Sequence, residues 1–278
     1  MRWWPLLFPL LSPLAACAGS RAGPPMLAYR VPVPPVVGYL VGDTARVDVK
    51  AAGQGFELGM TVSARWRMEF VPADADHVQV TATLAELAAR VANPVTTAQT
   101  ADESVVSGPV VFTLDPRGQA TIVRLPTLSP PAAFQVVSGA KIAHTFFPRL
   151  PGRVVSVGDG WVDTVAYVAQ EGAAGTTVRT VMSYTAVGDT VVGRVRYLLV
   201  RAKGTSEQSA SGVISRTDFS QTVAGTTEGY FLWDSAPGIL HSLEYRSDLS
   251  GTMQVAVLPV PLDVRIRATF RVMRTDRE

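Results

Sequence analysis

Cysteine is almost absent from this chain: Cys17 is the only one in 278 residues. The chain can therefore form no internal disulfide and no thiolate-rich metal site. Histidine is nearly as scarce, occurring at His77, His144 and His241. No His-Glu-Xaa-Xaa-His or paired-histidine spacing is present, so neither a zinc site nor any other cofactor is expected. Lysine occurs only at positions 50, 141 and 203, and the formal net charge is +2. That balance argues against nucleic-acid binding, which calls for a strongly basic domain or patch. Also missing are a Gly-Xaa-Ser-Xaa-Gly nucleophile elbow and a phosphate-cradling Gly-Lys-Ser/Thr loop. A non-catalytic binding or structural module is therefore expected rather than an enzyme. An exported hydrolase is the lesser alternative, and the carboxylates Asp159 and Asp163 around Trp161 are its best glycosidase-like pair. For these two the ordinary reading is that Asp159 shapes a turn and Asp163 is exposed on a strand.

What is present begins at the N-terminus. Arg2 is followed by a run from Trp3 to Pro13 that is apolar apart from Ser12, and then by Leu14-Ala15-Ala16-Cys17. The run is shorter than the roughly 20 apolar residues a transmembrane helix needs. It matches the layout of a secretory signal, a cation followed by an apolar stretch and small residues, although Pro5, Pro9 and Pro13 interrupt it. Leu14 to Cys17 resembles the lipobox of bacterial lipoprotein signal peptides. The resemblance implies cleavage between Ala16 and Cys17 and lipidation of the Cys17 sulfur. It also implies a membrane partner reached through that anchor. With Ala18 rather than Asp next to the cysteine, it implies the outer membrane, facing the periplasm. Two or more acyl chains would make the attachment stable, at roughly 0.8 kcal/mol per buried CH₂.

Pro24, Pro25, Pro32, Pro34 and Pro35 then make residues 17–36 read as a lipidated cysteine and an extended tether. The alternative is that Tyr29 to Val37 packs as an edge strand. Beyond Val41 the apolar residues fall into period two. Val62, Ala64, Trp66, Met68 and Phe70 alternate with Thr61, Ser63, Arg65, Arg67 and Glu69, the mark of a half-buried strand. Pro72 to Asp76 reads as a turn into a second strand from Val78 to Leu84. Val110 to Leu114, the turn Asp115-Pro116-Arg117-Gly118 and Ala120 to Arg124 form another hairpin. Ser129 as N-cap and Pro130 at the first helical position open a helix. Its stripe is Val136, Val137, Ala140, Ala143 and Phe147, and Pro148 and Pro151-Gly152 end it. Strands resume over Trp161 to Val168, Thr177 to Ala186, Arg194 to Arg201, Gly229 to Trp233, Leu240 to Arg246 and Asp263 to Val272. Gly172 to Gly175 and Ala186 to Asp189 read as turns between them. Residues 204–227, rich in Ser, Thr and Gly, read either as two polar strands or as a long loop.

Val41-Gly42-Asp43 recurs as Val157-Gly158-Asp159, and the segment from Phe112 to Gly118 resembles that from Phe231 to Gly238. This suggests two duplicated β units, 37–128 and 152–278, on either side of a helix and connector at 129–151, with the signal peptide at 1–16. The fold class expected is all-β with one helix: a strongly curved antiparallel sheet or open barrel. That layout, together with the lipobox, resembles bacterial lipoprotein-carrier and lipid-binding β folds. The resemblance implies a carrier of lipid or another amphiphile as the alternative to a plain binding or structural module, with lipid or an envelope protein as partner. An apolar groove would be lined by Trp66, Phe70, Phe112, Trp233 and Phe270. Arg65, Arg67, Arg265, Arg267 and Arg271 form basic rows on strand faces, read as a solvated exterior.

Overall fold

The computed structural model describes residues 25–51, 54–93, 96–129, 137–171, 174–214 and 217–275. The lipobox-like stretch with Ala16 and Cys17, the remainder of 1–24, and Pro130 and Val136 of the expected helix lie outside the described residues. In chain order the strands are β1 Met26–Leu27, β2 Val36–Ala51, β3 Gln54–Pro72, β4 Val78–Asn93, β5 Thr96–Asp102, β6 Val106–Ser107, β7 Val110–Leu114, β8 Ala120–Arg124, β9 Thr127–Leu128, β10 Arg153–Val154, β11 Gly160–Glu171, β12 Ala174–Val192, β13 Val195–Ile214, β14 Thr217–Asp234, β15 Ile239–Val255 and β16 Leu262–Arg274. One helix, α1 Gly139–Thr145, lies between β9 and β10.

The all-β architecture is dominated by one curled antiparallel sheet in the order β11-β12-β13-β14-β15-β16-β2-β3-β4-β7-β8, with β5 also paired to β4; β1 with β10 and β6 with β9 form two further two-stranded sheets. Each half of the chain is a meander, and the pairing of β16 with β2 joins them, with Ile266 opposite Val47 and Val272 opposite Val41. The halves also share a core, since residues of both belong to one apolar cluster.

Period-two patterning sets the faces. Along β3, Val62, Ala64, Trp66, Met68 and Phe70 are buried on the concave side and Thr61, Ser63, Arg65, Arg67 and Glu69 are exposed on the convex side. In β4 the register against β3 slips between Arg65 and Trp66, opposite Glu86 and Leu84. The extra residue, Ala85, re-phases the alternation so that Leu87 and Ala89 remain inward. The curl itself depends on inward glycines. A Cβ on Gly204 would stand 1.9 Å from the carbonyl oxygen of Val181, and one on Gly229 would stand 1.9 Å from that of Glu244. Neighbouring strands approach too closely there for any side chain.

The two ends of the sheet are bridged by other segments. Helix α1 packs on β7 and β8 at one end and on β11 at the other. Arg117, in the turn after β7, pairs with Asp163 of β11, and its carbonyl accepts from the Leu150 N–H at 2.9 Å.

Several expectations are corrected. Residues 25–36 are part of the body, not tether: β1 pairs with β10, Leu27 and Tyr29 are buried, and the Tyr29 hydroxyl donates to the Pro148 carbonyl at 2.8 Å. Helix α1 begins at Gly139, and its N-cap is Ser138, whose Oγ accepts from the Lys141 N–H at 3.0 Å. Ser129 does not cap it; its N–H donates to the Val105 carbonyl at 2.9 Å. The late glycine is accommodated because a Cβ at 139 would lie 2.8 Å from the Leu125 side chain. Ala186 to Asp189 is a bulge within β12, and the chain reverses at Gly193, where φ is +62°. Gly175 is likewise inside β12, while Gly172 lies outside the described residues. Of the two readings of 204–227, strands are what form: β13 and β14 pair throughout, for example Ser206 with Gly225.

The recurring motifs separate into two kinds. The turns after β7 and β14 correspond, each following a buried phenylalanine (Phe112 or Phe231) and each setting a glycine at positive φ, +82° at Gly118 and +70° at Gly238. The Val-Gly-Asp copies do not correspond. Asp43 lies inside β2 facing the interior, whereas Asp159 closes a turn before β11 by accepting from the Ser156 N–H at 3.0 Å.

Candidate functional site

The concave interior divides along the strands. At one end, the large apolar cluster is filled by aromatic rings meeting edge to face: Tyr29 with Trp233 at 5.3 Å, Tyr29 with Phe147 at 5.4 Å and Tyr39 with Phe146 at 5.0 Å. Such contacts add to the area these rings bury. At the other end, Val223, Leu249 and Val264 form a second, small cluster. Between them lies a cavity of about 350 Å³.

The cavity exists because inward side chains become small or polar there. Along β14 the inward residues run Val223, Gly225, Thr227, Gly229, Phe231, and along β16 they run Ile266, Ala268, Phe270, Val272. Ala45 of β2, Ser206 of β13 and Ser247 of β15 occupy the same belt. The hydroxyls satisfy one another across strands: Thr180 with Ser206 at 2.9 Å, and Thr227 with Ser247 at 2.9 Å. The wall is completed by Val165, Tyr167, Val178, Met182, Leu249 and Ile266, which give it an apolar surface.

Helix α1 and the segment after it cover the cavity. Lys141 pairs with Asp43 and stands 5.2 Å from the centre of the Phe270 ring. His144 stacks on Tyr167, ring centres 4.6 Å apart. Burial, with the nearby charge of Arg149, holds the His144 imidazole below its ordinary proton affinity, so it is neutral at pH 7. Arg149 borders the cavity and is only 4% exposed, yet its Nε and Nη1 have no hydrogen-bond acceptor among the described residues. Burial pushes the Tyr184 phenol up to about 12 and raises that of its neighbour Tyr245, so both stay protonated.

Of the five aromatics expected to line a groove, only Phe270 borders this cavity. Trp66, Phe70, Phe112 and Trp233 are 0–2% exposed and belong to the packed cluster. Their size is the reason: alternating large rings fill a narrow curl completely, while the open space forms where alanine, serine, threonine and glycine face inward. Lys141 and Arg149 had carried no expectation, and neither a motif nor an apolar period marks them. The signal for the belt is fainter, a small-and-polar alternation continuing where the hydrophobic one stops.

The other candidates have structural duties. Asp159 also receives Arg153 at 3.1 Å. Asp163 is not exposed as expected: its side chain is 16% accessible and is tied to Arg117. His77 accompanies Asp74 in the β3–β4 turn at 2.9 Å, and His241 stacks on Tyr197 at 4.1 Å. Among the described residues no group of His, Cys, Asp or Glu is arranged to hold a metal ion.

The convex face is charged from strand to strand. Arg265 meets Asp248 at 2.6 Å, Arg271 meets Glu244 at 2.9 Å, Arg65 meets Glu86 at 3.2 Å, and Arg267 pairs with Asp48. Hydrogen bonds from Arg267 and Arg265 hold the carboxyls of Asp48 and Asp248 below the usual range. Arg65, Arg265, Arg267 and Arg271 are thus paired with acids on adjacent strands, and Arg67 with Glu69 of its own strand at 3.4 Å. A membrane-spanning barrel turns an apolar band outward; here charged pairs cross the outward face, among exposed apolar residues such as Val162, Val168 and Met273. No helix among the described residues is long and apolar enough to cross a membrane.

No protein-family model and no curated protein matches the chain. Among solved structures, an outer membrane channel from Pseudomonas putida F1 aligns over 90% of this chain and 98% of its own, at 10% identity and a TM-score of 0.28. Salmonella typhi OmpF in complex with daunomycin aligns over 86% of this chain and 97% of its own, at 8% identity and a TM-score of 0.23. At those scores neither likeness carries an argument about function.

Proposed function

We propose that this chain is a lipid-anchored binding module of the bacterial cell envelope that holds an amphiphile in its interior cavity. The observation that carries the reading is the cavity itself: an apolar-walled space of about 350 Å³ between two packed clusters, in a curled sheet whose exterior is charged. The volume lies at the small end of the roughly 300–1,000 Å³ typical of ligand sites. The lipobox-like Leu14 to Cys17 supports the anchor, and Ala18 supports outer-membrane attachment facing the periplasm. Only residues 18–24 separate Cys17 from the described body, a reach of about 25–30 Å at most for an extended chain. The module would therefore work close to the membrane surface, where amphiphiles partition. Binding rather than catalysis is favoured because the cavity's Thr180–Ser206 and Thr227–Ser247 hydroxyls bond to one another, Ser138 and Thr145 bond to the backbone of α1, and its histidine stacks on a tyrosine.

Two measurements test this. Native mass spectrometry of the full chain, extracted from membranes, is expected to show a bound small amphiphile; a bare polypeptide mass in every preparation would remove the carrier reading. Metabolic labelling is expected to place fatty acid on the wild-type chain and none on Cys17→Ser. Equal labelling of both would remove the anchor.

A further inference from the structure

Arg149 identifies the head of that amphiphile. Arg149 is among the residues that border the cavity and is 4% exposed, and its buried Nε and Nη1 have no acceptor among the described residues. A buried guanidinium is strongly unfavourable unless paired and hydrogen-bonded. Among the described residues the nearby acids have other partners: Asp43, which borders the cavity, is engaged by Lys141, and Asp163 by Arg117. Among the described residues that border the cavity, Arg149 is the cation without an ion-pair partner. We propose that the ligand is a single-chain amphiphile ending in an oxyanion, a carboxylate or a phosphate, with the oxyanion on Arg149 and the chain along Val165, Tyr167, Val178, Met182, Leu249 and Ile266. This rests on the cavity reading above and adds the ligand's charge and chain number. A volume of about 350 Å³ admits one chain, not two. With Lys141 paired to Asp43 and His144 neutral, Arg149 is the unpaired cation among the described residues bordering the cavity.

The test uses the full-length chain with Cys17→Ser, so that no acyl group on the protein competes, and three probes of equal chain length: dodecanoate, dodecyl phosphate and dodecanol. At least one anion is expected to bind tenfold or more tightly than dodecanol and to raise Tm accordingly; the tighter anion names the head group. Arg149→Met, which keeps length and apolar bulk, is expected to bind all three alike. Arg149→Lys, which keeps the charge but not the planar donors, is expected to retain part of the preference. Equal binding of all three probes by the unsubstituted residue 149 overturns the oxyanion assignment and leaves the cavity reading standing. Failure of all three to bind overturns both. Because the decisive comparison is among ligands on an intact Arg149, a poorly folding variant does not blunt it.

Discussion

The aromatic end of the interior and the cavity belt are made by the same strands, a few residues apart. On β14, Phe231 and Trp233 fill one region while Thr227, two residues before Gly229, borders the other. Backbone pairing runs in register from Leu232–Ser242 to Phe219–Val255 and slips by one residue between Leu232 and Trp233, at the aromatic end. Through the belt and up to Leu232 the pairing is the same, and what changes is side-chain volume and polarity. Where large rings face inward they interlock and hold the curl. Where threonine, serine, alanine and glycine face inward, the same curl encloses space, and hydroxyl pairs satisfy the polar atoms that space would otherwise strand.

The strongest way to break this comparison is to remove a ring from the packed end. Trp66→Ala is expected to destabilise by about 3–5 kcal/mol, read from urea unfolding; a loss below about 1 kcal/mol would mean that this end is not solid. Adding volume at the two ends separates them more finely. Ala82, fully buried in the packed cluster, should resist enlargement, and Ala82→Leu should lose about 1–3 kcal/mol by overpacking. Ala268→Leu, in the cavity belt, should change stability by less than about 1 kcal/mol while removing amphiphile binding. Equal penalties at the two positions would show that the belt has no room.

A smaller effect is expected with pH. His144 binds a proton less readily in the fold than at its ordinary value of 6.5, because of burial and then Arg149. The unfolded chain therefore takes up the proton first as pH falls. The stabilisation this histidine contributes is complete above 6.5 and is lost progressively below it. Thermal unfolding from about pH 7.5 to about pH 5 should show a steeper fall in Tm for wild type than for His144→Gln, and parallel profiles would contradict that environment. The groups facing this imidazole are Tyr167 and Arg149. The least effect is expected outside: Arg265→Ala, breaking an exposed pair with Asp248, should leave the urea midpoint unchanged at physiological salt. A clear loss would mean that the convex face does more than stay wet.

Legibility in the sequence followed the same division. The strand from Thr61 to Phe70 could be read because one face is buried against large side chains and the other is wet, which stamps a strong period of two on the chain. The Asp115 to Gly118 turn was readable from local chemistry: the Asp115 carboxylate accepts from the Arg117 and Gln119 N–H groups at 2.9 and 2.7 Å. Residues 204–227 were ambiguous because they line the cavity. With Ser206, Gln208 and Thr227 inward and Thr205, Glu207 and Thr226 outward, both faces are polar and the hydrophobic period vanishes while the strand continues. Local sequence does not distinguish the two helix starts, since Ser129-Pro130 is as good as Ser138-Gly139; packing of Gly139 against Leu125 goes with the later one.

Composition and periodicity by themselves determined that this chain builds antiparallel strands with an apolar inside and a charged outside, since each residue's preference for water acts locally and repeats every two positions. The tertiary structure alone decided where the inside stays empty and which cation is left facing it. Arg149, His144, Asp43 and Thr227 come from separate parts of the chain. Only the curl of the sheet, set by which glycines let strands approach, brings them around one space.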